Sequence, residues 1–229
     1  MMANETMPDH RAFIIANTRP MPVPSLPSIQ LYQADEVTPL WLMTEQDLVH
    51  ERLAPPFWAF AWSGGQALGR YVLENPHMVA GKRVLDIACG SGLVGIAALQ
   101  AGAASVLCND IDPYCAAAVA LNAGLNHVTL SFKADDLLLG PVSAVDIILA
   151  GDICYEKAMT DAMLTYFRRA AQQGIEVYIG DPHRSYFPKT GLTRVADYDI
   201  LTNADIEDAA HKPASVWRLN FHPSDAEGG

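Results

Sequence analysis

The stretch Val84-Leu-Asp-Ile-Ala-Cys-Gly-Ser-Gly-Leu-Val-Gly95 decides the fold. Lys82 to Ile87 reads as a short strand, and Gly92 to Ala101 as an Ala-rich helix closed by Gly102. Gly90 and Gly92 sit where strand hands over to helix, and without a Cβ they permit a tight turn and close approach of a ligand. Read literally, Gly90, Gly92 and Gly95 are spaced G-x-G-x-x-G, and Asp110 follows Gly90 by 20 residues. That is the spacing of a dinucleotide-binding βαβ unit.

Asp86 argues for a different ligand. It stands at the carboxyl end of the strand, where open α/β sheets bind ligands, and a carboxylate there repels a pyrophosphate. S-adenosylmethionine carries an ammonium and a sulfonium and suits it. Asp110, at the end of the next strand, can accept both ribose hydroxyl hydrogens, a role common to both cofactors, and Ile111 beside it joins the expected cofactor set. Asp135 and Asp136 follow the third strand, where the adenine edge would lie. A nicotinamide dehydrogenase also needs a substrate domain, whereas here the chain beyond Asp135 is needed to finish the sheet.

Outward from the loop, strand and helix alternate. Residues 64–75 place Ala67, Leu68, Tyr71 and Val72 on one helical face, with Pro76 ending the helix. Ser105–Asn109 and Val128–Phe132 read as strands flanking a helix over Pro113–Gly124, capped by Asp112. Val145–Ala150 is apolar enough to be a strand buried on both faces. Lys157–Gln173 is a helix and Ile175–Gly180 a strand. Residues 193–201 and 215–221 form an antiparallel final pair. This predicts an α/β, Rossmann-like, doubly wound seven-stranded sheet, mostly parallel with an antiparallel final strand. Residues 56–222 form that domain, 1–55 an N-terminal extension and 223–229 a disordered tail. In the extension, Arg11–Ala16 is a short helix, the Pro-rich 18–27 is extended, 29–33 and 38–43 are short strands, and 44–53 is a brief helix or turn.

The 229 residues exceed the ~150-residue domain prior by less than a second domain. Half are apolar, and the mean hydropathy is +0.10. No apolar run approaches the ~18 residues of a membrane span. The formal charge of −11, from 15 basic and 26 acidic side chains, disfavours duplex or anionic-membrane binding. Cys89, Cys108, Cys115 and Cys154 lack CxxC spacing and read as buried small hydrophobes in a reducing compartment. With scattered histidines and no HExxH, no metal site is expected. No signal peptide is indicated, so a cytoplasmic protein is expected, and a monomer. Phe60-Ala-Trp-Ser-Gly-Gly65 falls short of a serine nucleophile elbow because Ala61 replaces its first glycine.

Several segments together resemble the seven-strand S-adenosylmethionine-dependent methyltransferases, and within them the protein-lysine branch. They are Pro56-Phe-Trp-Ala-Phe-Ala-Trp-Ser-Gly-Gly-Gln-Ala-Leu-Gly-Arg-Tyr71, Asn109-Asp-Ile-Asp-Pro113, Gly151-Asp-Ile-Cys-Tyr-Glu156 and Gly180-Asp-Pro182. More narrowly, residues 55–221 resemble the electron transfer flavoprotein beta-subunit lysine methyltransferases. The resemblance implies S-adenosylmethionine as methyl donor, S-adenosylhomocysteine as product and the flavoprotein beta subunit as protein substrate. It implies that Trp62 and Gly64 cover the cofactor, and that Asp152 and Tyr155, a D-x-x-Y motif, face the methyl donor and orient the target lysine. Ala88 stands where many members have the loop's first glycine; it is small, so binding should survive.

The chemistry sets a conflict at Asp152. Only a neutral amine attacks a methyl group, and free lysine has a pKa of ~10.4. Neutralising it at pH 7 costs about 4–5 kcal/mol unless the pocket lowers that pKa. A carboxylate raises it. Asp152 then captures and aims the ammonium, burial near a sulfonium favours proton loss, and alignment supplies most of the acceleration. Tyr155 offers a hydroxyl or an aromatic wall. The bland alternative has Asp152 capping the helix from Lys157. Nucleic-acid amino methyltransferases carry Pro-Pro where this chain has Ile153 and Cys154, which disfavours base methylation. His183 and Arg184, after the fifth strand of the domain, either border the substrate mouth or form a solvated loop. A small-molecule amine acceptor and a non-catalytic cofactor-binding module stay open as alternatives.

Overall fold

In the computed structural model, which describes residues 9–43, 55–202 and 210–220, the chain enters through helix α1 (His10–Asn17), capped by the Asp9 carboxylate on the Ala12 amide. An antiparallel hairpin of β1 (Arg19–Val23) and β2 (Leu26–Gln33) follows. Pro20 and Pro22 lie in β1 because an edge strand tolerates residues without an N–H donor. The strand expected over 38–43 is instead a helical turn, α2 (Pro39–Leu42): Pro39 occupies its first position, where the missing donor is harmless. The brief helix or turn expected over 44–53 and the tail 223–229 lie outside the described residues.

The regular part begins with α3 (Ser63–Glu74), followed by β3 (Arg83–Ile87), α4 (Leu93–Gln100), β4 (Ser105–Asn109), α5 (Cys115–Leu125) and β5 (Ser131–Lys133). Then come β6 (Ile147–Gly151), α6 (Lys157–Gln172), β7 (Glu176–Asp181), β8 (Leu192–Leu201) and β9 (His211–Leu219). The seven-stranded order is β5-β4-β3-β6-β7-β9-β8. β3 to β7 run parallel, and β9 slots between β7 and β8, antiparallel to both. β5 is shorter and later than the strand expected over 128–132. The amides of Asn126, His127 and Val128 return to carbonyls of α5, so Val128 is consumed in closing that helix.

Alternation sorts the sheet's faces. Ile147, Leu149 and Tyr178 pack with Leu68, Val72, Val94, Ala98 and Val119 of α3, α4 and α5. Ile148, Ala150, Val177 and Ile179 pack with Met163, Leu164, Phe167 and Ala170 of α6. The hairpin supplies a third layer. Val23, Leu26, Ile29 and Leu31 cover Leu93, Ile96 and Ala97, which is why α4 is apolar on its outer side as well. Asn122 of α5 and Asn126, which caps the end of that helix, accept the β2 amides of Tyr32 and Gln30 at 2.8 and 3.0 Å. The chain builds β4 and β5 on one side of β3 and then β6 and β7 on the other. That reversal opens a crevice above the carboxyl ends of β3 and β6.

Candidate active site

A cavity of about 530 Å³ fills this crevice, a size suited to a nucleoside-bearing ligand. Its floor is the turn between β3 and α4. Ala88, Gly90 and Gly92 all have left-handed backbones, with φ of +52°, +49° and +79°. Ala88 adopts this conformation against the preference of an L residue, at about 1 kcal/mol. Asp86 is buried at the end of β3, and its Oδ2 accepts the Gly95 amide at 2.8 Å. A Cβ on Gly95 would sit 2.9 Å from Cys108 Sγ, so this glycine brings α4 down onto the sheet. Burial, aided by the charge of Asp110, pushes the Asp86 carboxyl up to about 8. A buried acid with one amide partner fits an ammonium, which restores its charged form.

Asp110 projects from the end of β4 and accepts the Gly90 amide at 2.9 Å and the Asp112 amide at 3.1 Å. It thereby ties the glycine turn to its neighbouring strand, and its carboxylate still lines the cavity. Ile111 stands at the rim, 72% exposed. Asp136 faces the cavity and caps the following turn through the Leu138 amide. Asp135 does not line the cavity; its side chain pairs with Lys133 at 3.0 Å in solvent. Asp135 lies in the bend after β5, which ends at Lys133, and there its side chain turns outward while Asp136 turns in.

The catalytic candidates stand on the other side. Asp152 follows β6 with φ +60° and is 7% exposed. Its Oδ2 accepts the Gly64 amide, at the start of α3, at 2.7 Å. Its Oδ1 accepts Arg184 Nε at 2.7 Å, with Arg184 Nη2 also 2.7 Å away. The helix from Lys157 is capped by Glu156, on the amides of Ala158 and Met159, so Asp152 has no part in capping it. Tyr155 packs on Phe57 at 5.3 Å and lines the mouth. Burial and the surrounding acids push its phenol up, so it stays a neutral hydroxyl. Trp62 donates its indole N–H to the Phe57 carbonyl at 2.8 Å and packs edge-on against Phe57 and Phe60, forming one wall.

Nine of the expected residues therefore share one cavity: Trp62, Asp86, Ala88, Gly90, Asp110, Ile111, Asp136, Asp152 and Tyr155. Gly64, Gly92 and Asp135 are not on its lining. Gly92 instead sets the turn into α4, where a Cβ would meet Val119 at 3.1 Å. Gly64 lets the start of α3 cross the strand ends. Two further features were not singled out by sequence. Gly151 and Gly180 press against α3: a Cβ on Gly151 would lie 2.7 Å from Gly65 Cα, and one on Gly180 2.1 Å from the Gly64 carbonyl. Asn109 holds the carbonyls of Lys133 and Asp135, both at 2.8 Å. Of the two readings left open for Arg184, the structure favours the mouth: it lines the cavity and is the partner of Asp152. The Gly180-Asp-Pro segment flagged that loop; no local signal named the partner.

This fold and crevice define a methyltransferase of the seven-strand class. Two solved structures share the architecture at low identity. They are the ribosomal protein L11 methylase of Lactobacillus delbrueckii subsp. bulgaricus (TM-score 0.50, 20% identity, 70% of this chain and 81% of that one) and the branched-chain polyamine synthase of Thermus thermophilus (TM-score 0.51, 16%, 74% and 60%). Residues 67–156 match the ribosomal protein L11 methyltransferase (PrmA) family. The electron transfer flavoprotein beta subunit lysine methyltransferase of Danio rerio is 35% identical over 94% of this chain and 85% of its own. Those of Xenopus laevis and Homo sapiens are 34% and 33% identical over 93% and 94% of this chain and 87% and 83% of theirs. The chain belongs to the electron transfer flavoprotein beta subunit lysine methyltransferase family.

Proposed function

We propose that this chain methylates lysine side chains of the electron transfer flavoprotein beta subunit, using S-adenosylmethionine and releasing S-adenosylhomocysteine. One observation carries the reading. A single crevice holds a buried acid suited to an ammonium, Asp86, and, at its mouth, an aimed acid and a phenol, Asp152 and Tyr155. The relatives' names supply the acceptor.

When bound, the donor would supply an electrophilic methyl group on a cationic sulfur able to leave with the electron pair of its bond to carbon. The chain's residues do the rest. Asp86 would take the donor's ammonium, Asp110 its ribose hydroxyls, and Asp136 the adenine edge. The Gly90 turn offers backbone without a side chain in the way. Gly64 and Gly92 act through backbone shape, and Asp135 has no contact in this reading. Trp62 and Phe57 exclude water from one side. Asp152 and Tyr155 aim the acceptor nitrogen at the methyl carbon, and alignment of these centres is worth several kcal/mol.

The mouth favours a protein acceptor over a metabolite. Phe57, Tyr155 and Ile111 are 43%, 45% and 72% exposed around it, and no residue of 9–43 lines the cavity. The enzyme works as a monomer in a reducing compartment such as the cytoplasm, in keeping with four buried free thiols. The formal charge of −11 speaks against nucleic acid or an anionic membrane as its target; separately, among the described residues no helix is long and apolar enough to cross a membrane.

The test is transfer of radiolabelled methyl groups to purified flavoprotein beta subunit. Label in that protein is expected. Asp152→Ala should lose transfer by at least about a hundredfold while still binding S-adenosylhomocysteine in calorimetry. Label confined to small molecules, or full activity in the variant, would overturn the assignment.

A further inference from the structure

We propose that Arg184 is a positioning residue of the transfer step: it clamps Asp152 in an ion pair that aims the carboxylate and cancels its charge, so that the acceptor lysine can shed its proton inside the crevice. The inference rests on the lysine-transfer reading above.

The clamp is built from three elements. Arg184 stands in the loop after β7, 32 residues from Asp152, and both Nε and Nη2 lie 2.7 Å from Asp152 Oδ1. Its backbone is fixed by its amide on Asp181 Oδ1 at 2.7 Å, and its guanidinium lies 5.9 Å from the Trp62 ring centre. The other Asp152 oxygen is held by the first turn of α3 through Gly64. A carboxylate held from both sides has one orientation, and a planar guanidinium is the side chain that fixes it so.

The surroundings say why a cation is needed. Asp86, Asp110, Asp112 and Asp136 line the cavity from the ends of β3, β4 and β5, and Tyr155 and Glu156 from the segment before α6. Buried beside Asp152 are Cys154 and, at the end of β7, Asp181, with His183 next along that loop. Among the described residues on the cavity lining, Arg184 is the one basic side chain. Every carboxylate there draws in a lysine but stabilises its ammonium form, which has no lone pair. The reaction needs the ammonium to give a proton to water first. The neutral nitrogen then forms the nitrogen–carbon bond as the carbon–sulfur bond breaks onto sulfur, and the positive charge passes from sulfur to nitrogen. A free Asp152 would hold the proton on nitrogen at the moment of transfer. A paired Asp152 can still accept a hydrogen bond from the amine without trapping its proton.

The test compares wild type, Arg184→Gln and Arg184→Lys with the flavoprotein beta subunit as acceptor, following kcat between about pH 6 and 10. Acceptor binding to the S-adenosylhomocysteine-saturated protein is measured by calorimetry at neutral pH. In Arg184→Gln the rising limb of kcat should move up by about one pH unit, roughly tenfold in rate at neutral pH, while the acceptor binds as tightly or more tightly. Arg184→Lys should return the limb most of the way. Because burial pushes Asp181 up to about 7, the comparison is repeated in an Asp181→Asn background. An unmoved limb would overturn the proposal, as would parallel loss of rate and acceptor binding, the pattern of structural damage. If Arg184→Gln fails to bind S-adenosylhomocysteine, Asp152→Asn takes its place. With the charge gone and Arg184 kept, its limb should move to lower pH, and an unmoved limb again overturns the idea. Wild type that labels no flavoprotein would bring down the underlying reading and this one with it, an outcome distinct from an active wild type with an unmoved limb.

Discussion

At pH 7 a carboxyl group whose pKa has been pushed up to about 8 is mostly protonated, and Asp86 is in that position while the crevice holds no cation. Its ordinary value is 3.8. Between these two values the folded chain binds a proton that the unfolded chain releases, so this group lowers stability progressively as pH rises from about 4 to about 8. Asp181, fully buried and pushed up to about 7, adds a slope of the same sign. The ligand-free Tm should therefore fall between about pH 5 and 8, and Asp86→Asn should flatten that fall, as read by thermal melts across the range. The asparagine oxygen can still accept the Gly95 amide, so the fold is kept. S-adenosylhomocysteine should bind the variant more weakly, since its ammonium loses an ionised partner. Parallel melting slopes in the two proteins would show that Asp86 is not desolvated as its burial implies. Most of this site was legible residue by residue, because Asp86, Gly90 and Asp110 carry the spacing of a nucleotide loop. The sequence left open which of Asp135 and Asp136 faces inward, since that depends on where a three-residue strand ends.

Among the elements, α3 makes the closest approach, laying its first turn across the ends of β6 and β7 through Gly64, Gly65, Gly151 and Gly180. A Cβ on Gly180 would fall 2.1 Å from the Gly64 carbonyl oxygen and 2.8 Å from Leu68 Cβ. Both obstacles are rigid, so no rotamer change relieves them. Gly180→Ala should lose about 3 kcal/mol or more in urea unfolding, and with it the seat of Asp152. Gly124 is the matched control. It lies on the exposed side of α5, and a Cβ there meets nothing within 4 Å, so Gly124→Ala should gain about 0.5–1 kcal/mol. Equal effects at both positions would refute the packing account. The regular elements were readable because apolar runs and Gly or Pro stops agree along 64–180. The misreadings have local causes: Val128 closes a helix rather than opening a strand, and the Leu-Trp-Leu after Pro39 turns helical. The Asp152–Arg184 clamp was unreadable for another reason. It joins two loops whose separation in sequence carries no periodicity, and it exists only because β6 and β7 are neighbours.

Taken whole, the molecule carries a formal charge of −11, and the acids that line its mouth add a local negative field to the global one. Such a field attracts a lysine-bearing partner at long range and speeds encounter. The same field opposes the deprotonation that transfer requires, so recruitment and chemistry pull in opposite directions. The clamp on Asp152 separates them: Asp110, Asp112, Asp136 and Glu156 can recruit, while the carboxylate nearest the reacting nitrogen is neutralised. Screening acts on the first effect far more than on the second, because the Debye length shrinks from about 10 Å at 0.1 M salt to about 3 Å at 1 M, whereas the ion pair at Asp152 is a contact within a buried site. Raising ionic strength should therefore lower kcat/KM for the protein acceptor severalfold, with kcat at saturating acceptor changed much less. Steady-state rates over a salt series, at fixed saturating S-adenosylmethionine, read both quantities. A kcat that falls in step with kcat/KM would mean that salt reaches the reacting groups themselves, and a kcat/KM indifferent to salt would mean that apolar contact at Phe57, Tyr155 and Ile111, rather than charge, brings the acceptor in.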